Sequence, residues 1–171
     1  MIDAAPLREA LRQLAEVVAG LDASRYASPP PGLGPGTVGS HVRHCLDHVQ
    51  ALIDATEGGR LDYDRRRRGS AMETDQDAAL REMERLDRLL AGLPARVMGR
   101  AVTVVCLLDP ARPAATLDST LGRETAYVLS HTTHHNAIIG CLVRAMGGAT
   151  PARFGYAAAT LAAMEAGACA R

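Results

Sequence analysis

Apolar residues recur at every third or fourth position from Leu7, so that Leu7, Leu11, Leu14, Val17, Val18 and Leu21 form one stripe. That period predicts a helix over about Ala4 to Leu21, with Asp3 as its cap and Pro6 in its first turn. The pattern then breaks at Tyr26 to Gly36, where prolines and glycines alternate. Ring-locked φ angles and missing N–H groups predict a stiff connection there, without regular structure, crossing an end of the molecule. Thr37 is suited to cap a second helix reaching about Glu57, with Val42, Leu46, Val49, Leu52 and Ile53 apolar and Gly58-Gly59 as its stop. Leu61 to Gly69 reads as an irregular loop holding four consecutive arginines, Arg65 to Arg68.

Thr74 is the expected cap of a third helix, with Asp77 in the capping-box position. Its stripe is Leu80, Met83, Leu86, Leu89, Leu90 and Leu93, and Gly92 and Pro94 stop it. The period then changes. Arg100 to Leu108 is β-branched and apolar, Asp109-Pro110 turns it, and Ala114 to Asp118 can pair back as a short hairpin. Ser119 or Thr120 then caps the longest helix, about Leu121 to Met146, closed by Gly147-Gly148 and nearly 40 Å long at ~1.5 Å per residue. The Ala-rich tail after Phe154 predicts a short helix packed over the rest. The expected fold class is all-α: an up-down-type four-helix bundle with a small β-hairpin insertion before the last long helix, in one domain of 171 residues.

Composition supports helices. Aromatic residues make up only 3% of the chain, with one Phe and no Trp, so the core must be built from Leu, Val, Ile, Met and Ala. A formal net charge of zero supplies no global field for nucleic acid or an anionic membrane, and neither partner is expected. The four cysteines, Cys45, Cys106, Cys141 and Cys169, show no paired spacing and read as reduced thiols. No basic stretch followed by an apolar run opens the chain, and no apolar run approaches the ~20 residues of a membrane span. A soluble cytoplasmic protein, and a homodimer, are expected.

The histidines change the picture from packing to chemistry. All six fall in two clusters, His41, His44 and His48 on the second helix and His131, His134 and His135 on the last. Spacings of i, i+3, i+7 and of i, i+4 put each set on one helix face. Imidazoles from two facing helices are a common way to build a metal site inside a bundle. His131 and His135 form the pair expected to bind, and the second helix leaves His41, His44 and His48 open. Cys45 lies on the flank nearest His41 and could ligate as a thiolate, although a buried packing thiol fits its apolar neighbours better. Glu124 sits seven residues before His131, about 10 Å along the axis, too far to share an ion with both histidines but near enough to line a pocket. Arg123 and Tyr127 form an i, i+4 pair at the same end. The arginine run reads as a solvated surface from which one or two guanidiniums can turn inward to clamp a carboxylate or phosphate.

Taken in order, several motifs resemble the DinB-like (YfiT-like) superfamily of metal-binding four-helix bundles. They are His44 within Val38 to His44, the H-x-x-x-H of His131 and His135, Asp62-Tyr63-Asp64 with the arginine loop, Gly122-Arg123-Glu124, and Phe154-Gly155-Tyr156. Many members carry Gly-Gln where this chain has Asn136-Ala137, and Pro-Ser is expected where it has Ala158-Ala159. The resemblance implies His44, His131 and His135 as ligands of a divalent metal, zinc or nickel, with His41, His48 and His134 around them. It also implies a thiol-dependent transferase, isomerase or hydrolase, with a low-molecular-weight thiol as a further cofactor. On that expectation Arg123, Arg66 and Arg68 bind a small anionic substrate, and Glu124 and Tyr127 serve proton transfer or orientation. The alternative is a non-catalytic metal-binding or stress-response module, in which His48 or His134 closes the coordination sphere.

Overall fold

In the computed structural model, which describes residues 3–65 and 67–167, four long helices carry the core. They are α1 (Ala5–Ala19), α3 (Val38–Gly58), α4 (Gln76–Ala91) and α5 (Leu121–Ala145). Both α1 and α3 pack against α4 and α5. The predicted stripe of α1 is buried, and it meets Val42, Leu46 and Val49 of α3, Leu86 and Leu90 of α4, and Val128 and Ile139 of α5 in one core. Across the molecule Asn136 of α5 donates to the Ala10 carbonyl of α1 at 3.1 Å. The NH₂ donor of this buried side chain is thereby paired, at the position where Gly was the family expectation, while its Oδ1 has no hydrogen-bond partner.

Four local expectations are corrected. The Pro-rich connection begins with a short helix, α2 (Ala23–Ala27), capped by Asp22, whose carboxylate accepts from the Arg25 amide at 2.8 Å. Its Tyr26 is fully buried and donates to the Met72 carbonyl, so this segment is part of the core rather than a spacer. Secondly, α4 is capped by Asp75 rather than Thr74, because residues 71–73 already form a 3₁₀ turn and Thr74 closes it. Thirdly, the loop after α3 begins with a strand, β1 (Arg60–Asp62). It runs parallel to β2 (Ala101–Cys106), with Leu61 opposite Val104, while β2 pairs antiparallel with β3 (Ala115–Thr120) as the expected hairpin. Lastly, the tail helix α6 (Ala158–Glu165) buries none of its side chains.

Two junctions position the site. Thr37 accepts from the Ser40 amide at 3.0 Å while Ser40 Oγ accepts from the Thr37 amide at 3.1 Å, a reciprocal cap that starts α3 just before His41. Thr120 both ends β3 and caps α5, accepting from the Arg123 amide at 3.2 Å. Strand and helix are thus joined without a loop, and Ser119 of β3 is delivered beside Glu124 of α5.

Candidate metal centre and adjacent cleft

The two histidine faces meet where α3 packs on α5. The ring of His44 lies 4.8 Å from that of His131 and 4.7 Å from that of His135, and the latter two are 4.5 Å apart. His48 is stacked between two rings, 3.9 Å from His131 at 13° and 4.9 Å from Tyr63 at 10°. Ring nitrogens of His44, His48 and His131 all fall within 4.8 Å of one another, so these three could hold a metal ion. Imidazole nitrogens are donors that suit a divalent transition metal, so the residues present fit such an ion.

Hydrogen bonds set ring orientations. His48 Nδ1 lies 3.0 Å from the His44 carbonyl, which can only accept, so Nδ1 carries a proton and Nε2 is the nitrogen that could face an ion. His41 and His135 face each other Nδ1 to Nδ1 at 3.0 Å, one donating and the other accepting. Burial is the main cause that lowers the pKa of His41, with His134 and Arg43 adding to it, so the ring favours its neutral form. His134 is exposed, its ring 5.4 Å from that of His135. Cys45 is fully buried in the apolar core, and burial pushes its thiol up to about 12. It packs as a neutral side chain.

Beyond the histidines lies a cleft of about 370 Å³, walled by Tyr63, the hairpin residues Cys106 and Leu117, and Arg123, Glu124 and Tyr127 of α5. At its floor Glu124 is fully buried, 0% exposed, and accepts three hydrogen bonds. They come from Tyr63 Oη at 2.8 Å, Ser119 Oγ at 2.6 Å and Arg123 Nη1 at 2.8 Å. These donors satisfy a carboxylate that burial alone would penalise. Burial and then the Glu124 charge raise the pKa of Tyr63, which keeps its phenol protonated and donating. The Arg123 side chain is 66% exposed and its guanidinium lies 5.4 Å from the Tyr127 ring centre. Tyr63 also faces Tyr127 at 5.2 Å, so it joins the cleft to the histidine cluster. Sequence reasoning gave Tyr63 no individual role. The signal available was its place in the Asp62-Tyr63-Asp64 motif.

The arginine run goes elsewhere. Arg67 turns inward on a carboxylate of the protein itself, with its Nε 2.9 Å from Asp47 Oδ1 and its guanidinium also reaching Glu82. Asp47 is buried and accepts from Arg43 as well, at 3.1 Å, and Arg43 reaches Glu73 at 2.8 Å. Arg68 is exposed, and Arg66 lies outside the described residues.

A mainly helical protein with histidines gathered between two helices, and a small sheet at their side, is the class defined so far. A family model described as the DinB superfamily matches residues 7–139. The chain belongs to that superfamily. Among solved structures it is similar to a DinB-like protein from Bacillus subtilis, YjoA, with a TM-score of 0.57 and 18% identity over 84% of this chain and 89% of that one. At that identity the likeness speaks for the fold. No curated protein matches the sequence. Among the described residues no helix is long and apolar enough to cross a membrane.

Proposed function

We propose that this protein binds one divalent transition metal, zinc or nickel, between α3 and α5 of an up-down-type bundle, and acts as a metal-dependent transferase or hydrolase. Its substrate is small and anionic or thiol-bearing. The observation that carries this reading is the convergence of imidazoles from two helices beside a cleft that contains a guanidinium. We assign His44, His131 and His135 as ligands. An imidazole lone pair lies in the ring plane, and planes inclined by 46° to 82° are compatible with three rings serving one ion, although the nitrogens grouped within 4.8 Å are those of His44, His48 and His131 and not His135. The near-parallel planes of His48 and His131, at 13°, share an ion only if one ring turns. His48 then holds the ring stack, and His41 orients His135.

When bound, the dication supplies Lewis-acid activation of a thiol or water. Around it the chain's own groups bind and orient. Arg123 offers its remaining N–H donors to a substrate anion, Tyr127 supports the substrate body, and Glu124 holds Arg123 and Tyr63 in place. A second reading follows from His48, whose nitrogen lies within reach of His44 and His131. As a fourth ligand it would leave no open position, and a closed site fits a non-catalytic metal-binding or stress-response module. Elemental analysis of the wild type and single His→Ala variants separates the two. On the enzyme reading, removal of His44, His131 or His135 abolishes binding and His48→Ala retains the metal. Loss in His48→Ala with retention in His135→Ala would transfer the assignment to His44, His48 and His131.

A further inference from the structure

Arg123, Tyr127, His131 and His135 follow one another at intervals of four along α5, so they form one line on its surface, about 6 Å from each to the next. The structure fills that line with different chemistry in a fixed order. A guanidinium lies at one end, 66% exposed and 5.4 Å from the Tyr127 ring. The half-exposed Tyr127 ring comes next, 6.0 Å from the ring of His131. The imidazole pair His131 and His135 closes the other end, with rings 4.5 Å apart. Tyr63 faces the middle of the line from across the cleft, and Leu117 and Cys106 complete an apolar wall there; the cleft takes in Arg123 and Tyr127, and the histidines lie beyond Tyr127, outside its lining.

We propose that this line is a ruler, and that the cleft selects an elongated monoanion with an apolar middle and a metal-donor atom at its far end. The proposal rests on the metal reading above and adds to it the length and polarity of the ligand. Glu124 takes one N–H of Arg123, and it also accepts from Tyr63 and Ser119. A guanidinium carries five N–H donors, so the remaining ones can bind a carboxylate. From Arg123 to His131 is eight residues, about 12 Å along the helix. A carboxylate carbon sits ~4 Å from a guanidinium carbon and a sulfur ~2.3 Å from a bound ion, which leaves ~5–7 Å between sulfur and carboxylate carbon, or about three or four methylenes. Shorter ligands reach one end only. Longer ones must buckle against Tyr63 and Leu117.

Titration calorimetry of the metal-containing protein with ω-mercaptocarboxylates, HS–(CH₂)n–COO⁻, reads the ruler directly. Affinity is expected to peak at about three or four methylenes and to fall on both sides. Arg123→Ala should lower the peak affinity about 10-fold or more and flatten the length dependence, and Arg123→Lys should restore it in part. Affinity that climbs steadily with length, or a peak that survives in Arg123→Ala, overturns the proposal. A second arm uses simple alkanoates, which need Arg123 and Tyr127 but no metal. Their Arg123-dependent binding supports the anion end, and its absence in the wild type overturns it. A protein that takes up no zinc or nickel but binds alkanoates through Arg123 refutes the metal reading and the donor end together, leaving only the anion end. A metal-loaded protein without a length optimum refutes the ruler alone.

Discussion

Arg67 and Arg123 carry the same guanidinium, and their partners assign them different work. Arg67 and Arg43 both close on Asp47, whose side chain is only 4% exposed, so removing that carboxylate strands a buried cation that keeps Glu73 alone. Asp47→Ala is expected to cost about 2–4 kcal/mol in urea unfolding, and a cost below about 1 kcal/mol would show the pair to be dispensable. Arg123 and Glu124 also pair an exposed guanidinium with a buried carboxylate, at 66% and 0%, but no buried arginine shares this carboxylate as Arg43 shares Asp47. Glu124→Ala strips three donors of their acceptor and should cost about 2–4 kcal/mol, whereas Arg123→Ala should stay within about 1 kcal/mol. Equal losses would make Arg123 a structural partner and remove it as an anion anchor. No sequence signal distinguishes Arg67 from its three neighbours. Burial of Asp47 one turn from Arg43 decides it, and that burial depends on how α3 and α4 pack.

Among the elements, α1, α3 and α5 were legible to within a residue or two, because long apolar stripes state their own period; the caps of α3 and α5 were also as expected, whereas α1 has Ala4 at its cap position, without the side-chain cap expected of Asp3. The H-x-x-x-H pair and the i, i+3, i+7 set were legible for the same reason: helical spacing alone puts them on faces. β1 was not, since three residues pairing in parallel with a strand some 40 positions later leave no local trace. The cap of α4 was displaced because a 3₁₀ turn and a helix start share the same polar residues. A packed tail was expected, but through its helix, whereas the contact with α5 is made by the loop before it. Gly155 has φ +78°, and a Cβ there would lie 2.5 Å from the Ala137 backbone. Gly155→Ala should therefore lower the melting temperature by several degrees, through strain and through displacement of Phe154 from the core, at about 1–3 kcal/mol. An unchanged melting temperature would mean that the loop docks no closer than a side chain allows.

For the molecule as a whole, the buried groups predict an alkaline weakness. The Cys45 thiol is pushed up to about 12 by burial, and the phenols of Tyr26 and Tyr63 are raised for the same leading reason. In the unfolded chain a thiol releases its proton near pH 8.5 and a phenol near pH 10. The unfolded state therefore loses protons first, and stability falls as pH rises from about 8.5 toward 12. Urea midpoints across this range should decline, and Cys45→Ala should flatten the first part of that decline while lowering stability at neutral pH. A flat profile in the wild type would mean that these groups ionise without unfolding.

The claim on which the rest depends is that α3 and α5 hold a metal between them. Anomalous diffraction from crystals of the protein purified without chelator, collected across the zinc and nickel edges, tests it most directly. One peak per chain is expected, ~2.0–2.1 Å from a ring nitrogen of each of His44, His131 and His135. A peak bounded by His44, His48 and His131 would correct the ligand set. No peak among these rings, after crystals have been soaked with either metal, would contradict the claim.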